Sequence, residues 1–223
     1  MIKVLPIKPE ETEPWLLKKH YARRMCPISY AFGAYDGSKL IGVVTYGTPV
    51  SSSLRVGVCG EKWLDNVIEL NRLCCENQKN IASILVGRSL KMLPKPTVVV
   101  SYADTEQGHV GYVYQATNFA YTGLSAKRTD WKLKGMEHLH GATVADMSRG
   151  QENRAQWMRD KFGDDFYLQD RARKHRYVYF VGSQGQKKAM RSDLMYDIEP
   201  YPKGESKRYD AGGNVATQEL LFA

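Results

Sequence analysis

Between Val67 and Gly123 a buried-strand pattern runs into a helix start twice over, and this doubled unit leaves few folds open to the chain. The first copy reads VIELNRLCCENQKNIASILVGRSLKML and the second TVVVSYADTEQGHVGYVYQATNFAYTG. In each, an apolar or β-branched run stops at a polar turn, and helical spacing begins directly afterwards. A helix start just past a strand presents unpaired backbone N–H groups, which suit an anionic phosphate. Beside it the second strand ends on Ser101, Tyr102 and Asp104. The two units together make a place where a group can pass from a phosphorylated carrier to an acceptor.

The flanks extend this order. Glu10 to Tyr21 reads as a helix with Trp15, Leu16 and Leu17 as its apolar positions. SYAFGAYDGSKLIGVVTYG is a hairpin turning at Asp36-Gly37, a strong short-range signal between alternating runs. Gly47 to Gly60, rich in Ser, Gly and Pro, reads as a loop or irregular strand. Val67 to Cys74 is a strand, Glu76 to Asn80 a polar turn, and a helix follows through Leu93 until Pro94 and Pro96 stop it. Thr97 to Tyr102 suits a strand covered on both faces. A second helix is expected over His109 to Asn118, then a strand near Ala120 to Thr122. Ser148 and Gln151 fit a capping box for a helix holding Arg154, Trp157 and Met158. RKHRYVYFVG, from Arg173 to Gly182, reads as a strand. The expectation is one domain over residues 1–191, with residues 192–223 as an extension packed on its surface.

An apolar fraction of 43% and 11% aromatics exclude a disordered chain. A net charge of +8 favours an acidic partner, of which nucleic acid is the commonest for a basic protein. Four cysteines (Cys26, Cys59, Cys74 and Cys75) show no C-x-x-C pair, which fits a reduced cytosolic setting. No secretory leader and no apolar stretch of membrane-spanning length are read in the chain.

Individual residues admit two readings each. Asp104, past a buried strand end, suits a general base or an acceptor-orienting group, or else an N-cap ahead of the next helix. Tyr114 either protonates a leaving group or fills the core. Arg72, in an apolar strand, needs a carboxylate, a phosphate or solvent, because an unpaired buried charge is costly. Glu69 and Glu76 are its structural candidates. Ser83 either donates to a phosphate or bonds backwards in its helix. The turn Asn77-Gln78-Lys79-Asn80, with Ala82 and Ser83, is the candidate phosphate cradle, although Asn80 also reads as a plain N-cap. Arg171, Arg173, Lys174 and Arg176, continued by Lys187, Lys188 and Arg191, form a one-sign stripe suited to DNA phosphates. His20 and Tyr21, beside Arg23 and Arg24, suit stacking on an unpaired base. His138 and His140 could face a metal together, but no third ligand is apparent, so the metal question stays open.

The element order resembles that of the acyl-CoA-dependent N-acetyltransferase (GNAT) superfamily: an α+β fold with a mixed central sheet flanked by helices. The turn departs from that family's Gln/Arg-x-x-Gly-x-Gly/Ala pattern in having no glycine. A closer resemblance lies in ELNRL, the N-I-A-S helix start, VVVSYAD, GHVGYVYQATN and RKHRYVYF, which look like the Mom family. These are phage DNA-modification proteins and a divergent branch of the acetyltransferase superfamily.

The resemblance implies a transferase that adds a carbamoylmethyl-type, acyl-derived group to the exocyclic amine of adenine in DNA, hiding phage DNA from restriction. It implies Arg72, Ser83, Asp104 and Tyr114 as functional positions. It also implies acetyl-CoA or a related acyl donor, double-stranded DNA as partner and the cytoplasm of a bacterial host as location; a homodimer is compatible with it. Two other readings stay open: a CoA-dependent N-acetyltransferase acting on a protein or small amine, and a non-enzymatic DNA-binding protein with this fold.

Overall fold

A computed structural model describes residues 1–139 and 141–204 of the chain. Among these, seven strands form one sheet: β1 (Lys3–Pro6), β2 (Tyr30–Asp36), β3 (Lys39–Gly47), β4 (Val67–Cys75), β5 (Thr97–Asp104), β6 (Ala120–Leu124) and β9 (Lys174–Val181). They lie in the order β1-β2-β3-β4-β5-β9-β6. The first four are joined antiparallel, while β4 and β5 pair in parallel, so the sheet is mixed. Helices cover both faces. The fold class is α+β, as the element order predicts.

The strand pattern explains the layers. In β5, Val99 faces one apolar cluster while Val98 and Val100 face another. The first cluster takes Ile81, Leu85 and Leu90 from α3 (Ile81–Met92) and Tyr114 from α4 (Tyr112–Ala116). The second takes Val58 from α2 (Ser52–Cys59) and Met190 from α7 (Gln184–Ser192). A near-continuous β-branched run is what a strand buried on both faces requires. Cys74 and Cys75 likewise point into different clusters, and all four cysteines are free thiols.

The chain divides into two compact units. Among the described residues, one comprises 1–123 and 175–204; the other, within Leu124–Lys174, is built on a two-stranded sheet of β7 (Arg128–Leu133) and β8 (Phe166–Arg171). With α5 (Gly141–Asp146) and α6 (Arg154–Phe162), that sheet buries Leu133, Val144, Met158 and Phe166. Residues 193–204 run along the first unit: the Glu199 N–H donates to the Tyr121 carbonyl at 2.9 Å, and the Tyr201 hydroxyl to the Phe119 carbonyl at 2.7 Å. Residues 205–223 of the expected extension, and His140 of the His138/His140 pair, lie outside the described residues.

Local chemistry moved four elements from their expected places. Gly47 to Gly60 is not a loop, because Ser51 Oγ accepts the Leu54 N–H at 3.3 Å and starts α2. The first helix, α1 (Pro9–Pro14), gives way to a π turn over Trp15–Lys19 at Pro14, whose ring removes a backbone donor. The cap of α6 is Asn153, whose Oδ1 accepts from Gln156 N at 3.1 Å, while Ser148 donates to the Ala145 carbonyl. Finally, α4 is limited to Tyr112–Ala116, because Gly108 and Gly111 hold positive φ and the His109 N–H goes to the Asp104 carbonyl.

Candidate functional site

β4 and β5 pair from Val67↔Val98 to Leu70↔Ser101, and the site is built just past that last rung. There the Leu70 carbonyl takes its hydrogen from the Ser101 hydroxyl at 2.9 Å. Ser101 is also hydrogen-bonded to the Tyr114 side chain. Burial pushes the Tyr114 phenol well above the ordinary tyrosine range, with Ser101 opposing, so it stays protonated at neutral pH.

Arg72 owes its place to a β-bulge. Thr45 pairs with Arg72 and Tyr46 with Leu70, so Asn71 is an extra residue in β4. Its side chain is pinned on three sides: Oδ1 accepts from Thr45 Oγ1 at 2.6 Å and from Cys26 Sγ at 3.3 Å, while Nδ2 donates to the Pro27 carbonyl at 2.7 Å. Gly47 permits this, since a Cβ there would lie 1.9 Å from the Pro27 oxygen. One Arg72 amino group donates to the bulge's Asn71 carbonyl at 2.7 Å. Its Nε–H is buried with no hydrogen-bond partner among the described residues. Glu76, one expected partner, pairs with Lys39 at 2.9 Å.

Asp104 closes β5 at 6% exposure and caps the short turn Thr105–Gln107, accepting from Glu106 N at 3.1 Å. Both readings of this residue are therefore compatible with one geometry, since its carboxylate also acts on the neighbouring rings. It raises Tyr21, after burial, and opposes the burial that lowers His109.

His20 and Tyr21 stack with ring centroids 4.4 Å apart, and His109 meets Tyr21 edge-on at 6.2 Å. His20 Nδ1 accepts the Ala22 N–H at 3.0 Å, which leaves the proton of the neutral ring on Nε2. Burial, then the Arg72 charge and His109, lower its pKa to about 4. His20 is 5% exposed and out of reach of a stacking base, whereas Tyr21 is 42% exposed. Gly111, at φ +79, admits the Tyr177 ring, which packs 5.2 Å from that of Tyr114. The structure thus gathers His20, Tyr21, Arg72, Asp104 and Tyr114 at one place and adds Ser101 and His109. His109 lies in the same GHVG motif as Gly111, but nothing in its spacing tied it to Tyr21.

The cradle residues stand apart on the exposed turn before α3. Asn80 holds the left-handed conformation (φ 65) that a glycine would otherwise supply, and its side chain does not cap the helix. Asn77, Gln78 and Lys79 are exposed, and Ala82 and Ser83 occupy the first turn. Ser83 Oγ donates back to the Asn80 carbonyl at 3.0 Å.

The basic stripe divides. Arg171 holds Asp130 through two bonds of 2.8 and 3.2 Å within the smaller unit. In that unit too, Arg173 donates to the carbonyls of Ser125 and Leu124, and the Lys174 N–H donates to Ser125 Oγ. Arg176, in the larger unit, donates to the Thr122 hydroxyl and carbonyl at 2.9 and 2.7 Å and lies 3.3 Å over the Tyr196 ring. The three guanidiniums are tied to protein partners. Among the described residues no group of three or more His, Cys, Asp or Glu side chains could hold a metal ion, and no helix is long and apolar enough to cross a membrane.

The chain has recognisable relatives. Residues 1–203 match the Mom protein family. The methylcarbamoylase Mom of Escherichia phage Mu is 28% identical over 209 residues, covering 88% of this chain and 84% of that protein. Among solved structures, the ribosomal-protein-S18-alanine N-acetyltransferase of Escherichia coli is similar at 7% identity and a TM-score of 0.45, over 83% of this chain and 97% of its own. An N-acetyltransferase of Staphylococcus aureus Mu50 is similar at 13% and 0.43, over 81% and 99%. Because the family match spans both units and every residue of the cluster, the chain belongs to the Mom family.

Proposed function

We propose that this protein is a DNA-modifying transferase that attaches a small acyl-derived, carbamoylmethyl-type group to the exocyclic amine of adenine in phage DNA, in the cytoplasm of the bacterial host. The observation that carries the reading is the gathering of a buried carboxylate, a neutral histidine, a part-exposed tyrosine and an unsatisfied arginine donor just past the β4–β5 ladder. A family relative whose name is methylcarbamoylase supports the class of group.

The adenine amine is a weak nucleophile, because its lone pair is delocalised into the ring, and base pairing hides it. The base is therefore turned out of the duplex, and the part-exposed Tyr21 is the side chain placed to meet it. Asp104 holds the amine and takes its proton as the new C–N bond forms and the bond from that carbon to its carrier breaks. Arg72 offers its unused Nε–H to the oxygen of the transferred group. Tyr114 supplies a proton to the departing carrier by turning away from Ser101. Acetyl-CoA itself would give an acetyl amide by loss of its acyl carbon–sulfur bond. The carbamoylmethyl product requires a related donor that already holds the amide nitrogen and is joined to its carrier through the methylene carbon. The phosphates of such a donor would meet the backbone N–H groups of Ala82 and Ser83.

Mass spectrometry of nucleosides from the DNA of cells expressing the chain tests this. A new adenine nucleoside carrying the added group is expected with wild type and is expected to vanish with Asp104→Asn. Unmodified DNA in both, or acylated protein without altered nucleosides, overturns the reading.

A further inference from the structure

A cleft of about 360 Å³ opens in the larger unit between α7, β9 and the approach to β6. Gln184, Lys187, Lys188 and Arg191 line one side of it, Phe180 and its strand neighbours the floor, and Asn118 the far wall. The four α7 residues stand at i, i+3, i+4 and i+7, which is one face of a helix. The opposite side of α7 is anchored in the core by Met190.

Three cations on one helical face repel one another. Among the described residues that line the cleft, no Asp or Glu offsets them. This contrasts with Arg171, Arg173 and Arg176, whose donors are occupied by protein groups. A concave, cationic wall over an apolar floor with flanking amides matches the chemistry of a phosphodiester and its sugar. Phe180 and Tyr177, three residues apart on β9, point to opposite faces of the sheet: Phe180 joins the cluster on the α7 side, while Tyr177 packs on Tyr114 in the other.

We infer that this cleft docks a DNA phosphate backbone, on the face of the sheet opposite the Tyr114 cluster. The inference rests on the DNA reading above and locates where the duplex is gripped. The phosphate-binding cations are Lys187, Lys188 and Arg191, rather than the arginines on either side of Lys174.

The test uses the full chain, a fluorescein-labelled duplex and anisotropy titrations across a salt series. Lys187→Gln/Lys188→Gln/Arg191→Gln should weaken binding at least tenfold at low salt. It should also reduce the slope of log affinity against log salt by about one per lost contact. A control that neutralises the exposed Lys3, Lys91 and Lys95 should keep the slope. If the triple variant fails to fold, Lys188→Gln/Arg191→Gln, both at exposed positions, is read in its place. An unchanged slope overturns the cleft while leaving the DNA reading intact. So does loss of acetyl-CoA binding with DNA binding retained, which would assign the cleft to the carrier. A wild type that binds no duplex removes the DNA reading and the cleft with it.

Discussion

Ser101 donates to the Leu70 carbonyl at 2.9 Å and is hydrogen-bonded to the Tyr114 phenol, so one hydroxyl both ends the β4–β5 ladder and holds the site's tyrosine. The separation of the two strands and the setting of Tyr114 are therefore one event. Removing that hydroxyl leaves a buried carbonyl and a buried phenol without their partner, which costs about 1–3 kcal/mol. Ser101→Ala should lower the denaturation midpoint accordingly, and Tyr114→Phe should cost less because it removes the phenol as well. Equal midpoints for wild type and Ser101→Ala would remove this role.

Acid should weaken the fold through His20. Its pKa in the folded chain is about 4, below the 6.5 of the unfolded chain, so the unfolded state takes the proton first. The resulting stability is full above pH 6.5 and lost as pH falls to about 4, by about 3 kcal/mol in total. His109, also lowered by burial, acts in the same direction. Urea melts between pH 7 and 4 should show the fall, and His20→Gln should flatten it. A wild-type midpoint constant over that range would contradict the neutral, buried His20.

The helix start makes a graded prediction. Because the Ser83 hydroxyl is already given to Asn80, Ser83→Ala should change acetyl-CoA binding little by calorimetry. Ser83→Glu sets a negative charge at the helix start and should abolish binding if phosphates sit there. Asn80→Gly should be tolerated, whereas Asn80→Val forces a β-branched residue into the left-handed region and should destabilise the chain by about 1–2 kcal/mol. Undiminished binding by Ser83→Glu would move the donor elsewhere.

Arg176 should behave as a structural residue. Arg176→Lys cannot reproduce the paired bonds to Thr122 or the flat contact over Tyr196. Thermal melts of that variant should show a loss of about 1–2 kcal/mol, while its DNA salt slope stays that of wild type. A changed slope with an unchanged melt would return Arg176 to the DNA surface.

Short stretches of the sequence determine much of this protein by themselves. The hairpin at Asp36-Gly37, the doubled strand–turn–helix and the two-faced burial of β5 follow from local rules: turn chemistry, helical spacing and β-branched runs act within a few residues. Asp104, Arg72 and Tyr114 stand out as polar groups at strand ends or in apolar company. What tertiary structure alone decided is how these groups are spent. The Asn71 bulge depends on Thr45, Cys26 and Pro27, which lie 26 to 45 residues away in sequence. That His20 is a neutral buried ring, and not an open one ready to stack on a base, depends first on its burial in the fold and then on Arg72 and His109 arriving beside it. Among the basic residues, composition counted charges, but only packing assigned Arg171, Arg173 and Arg176 to protein partners and left Lys187, Lys188 and Arg191 facing a cleft. A charge's partner is set by distance in space, and local sequence pattern carries no record of that distance.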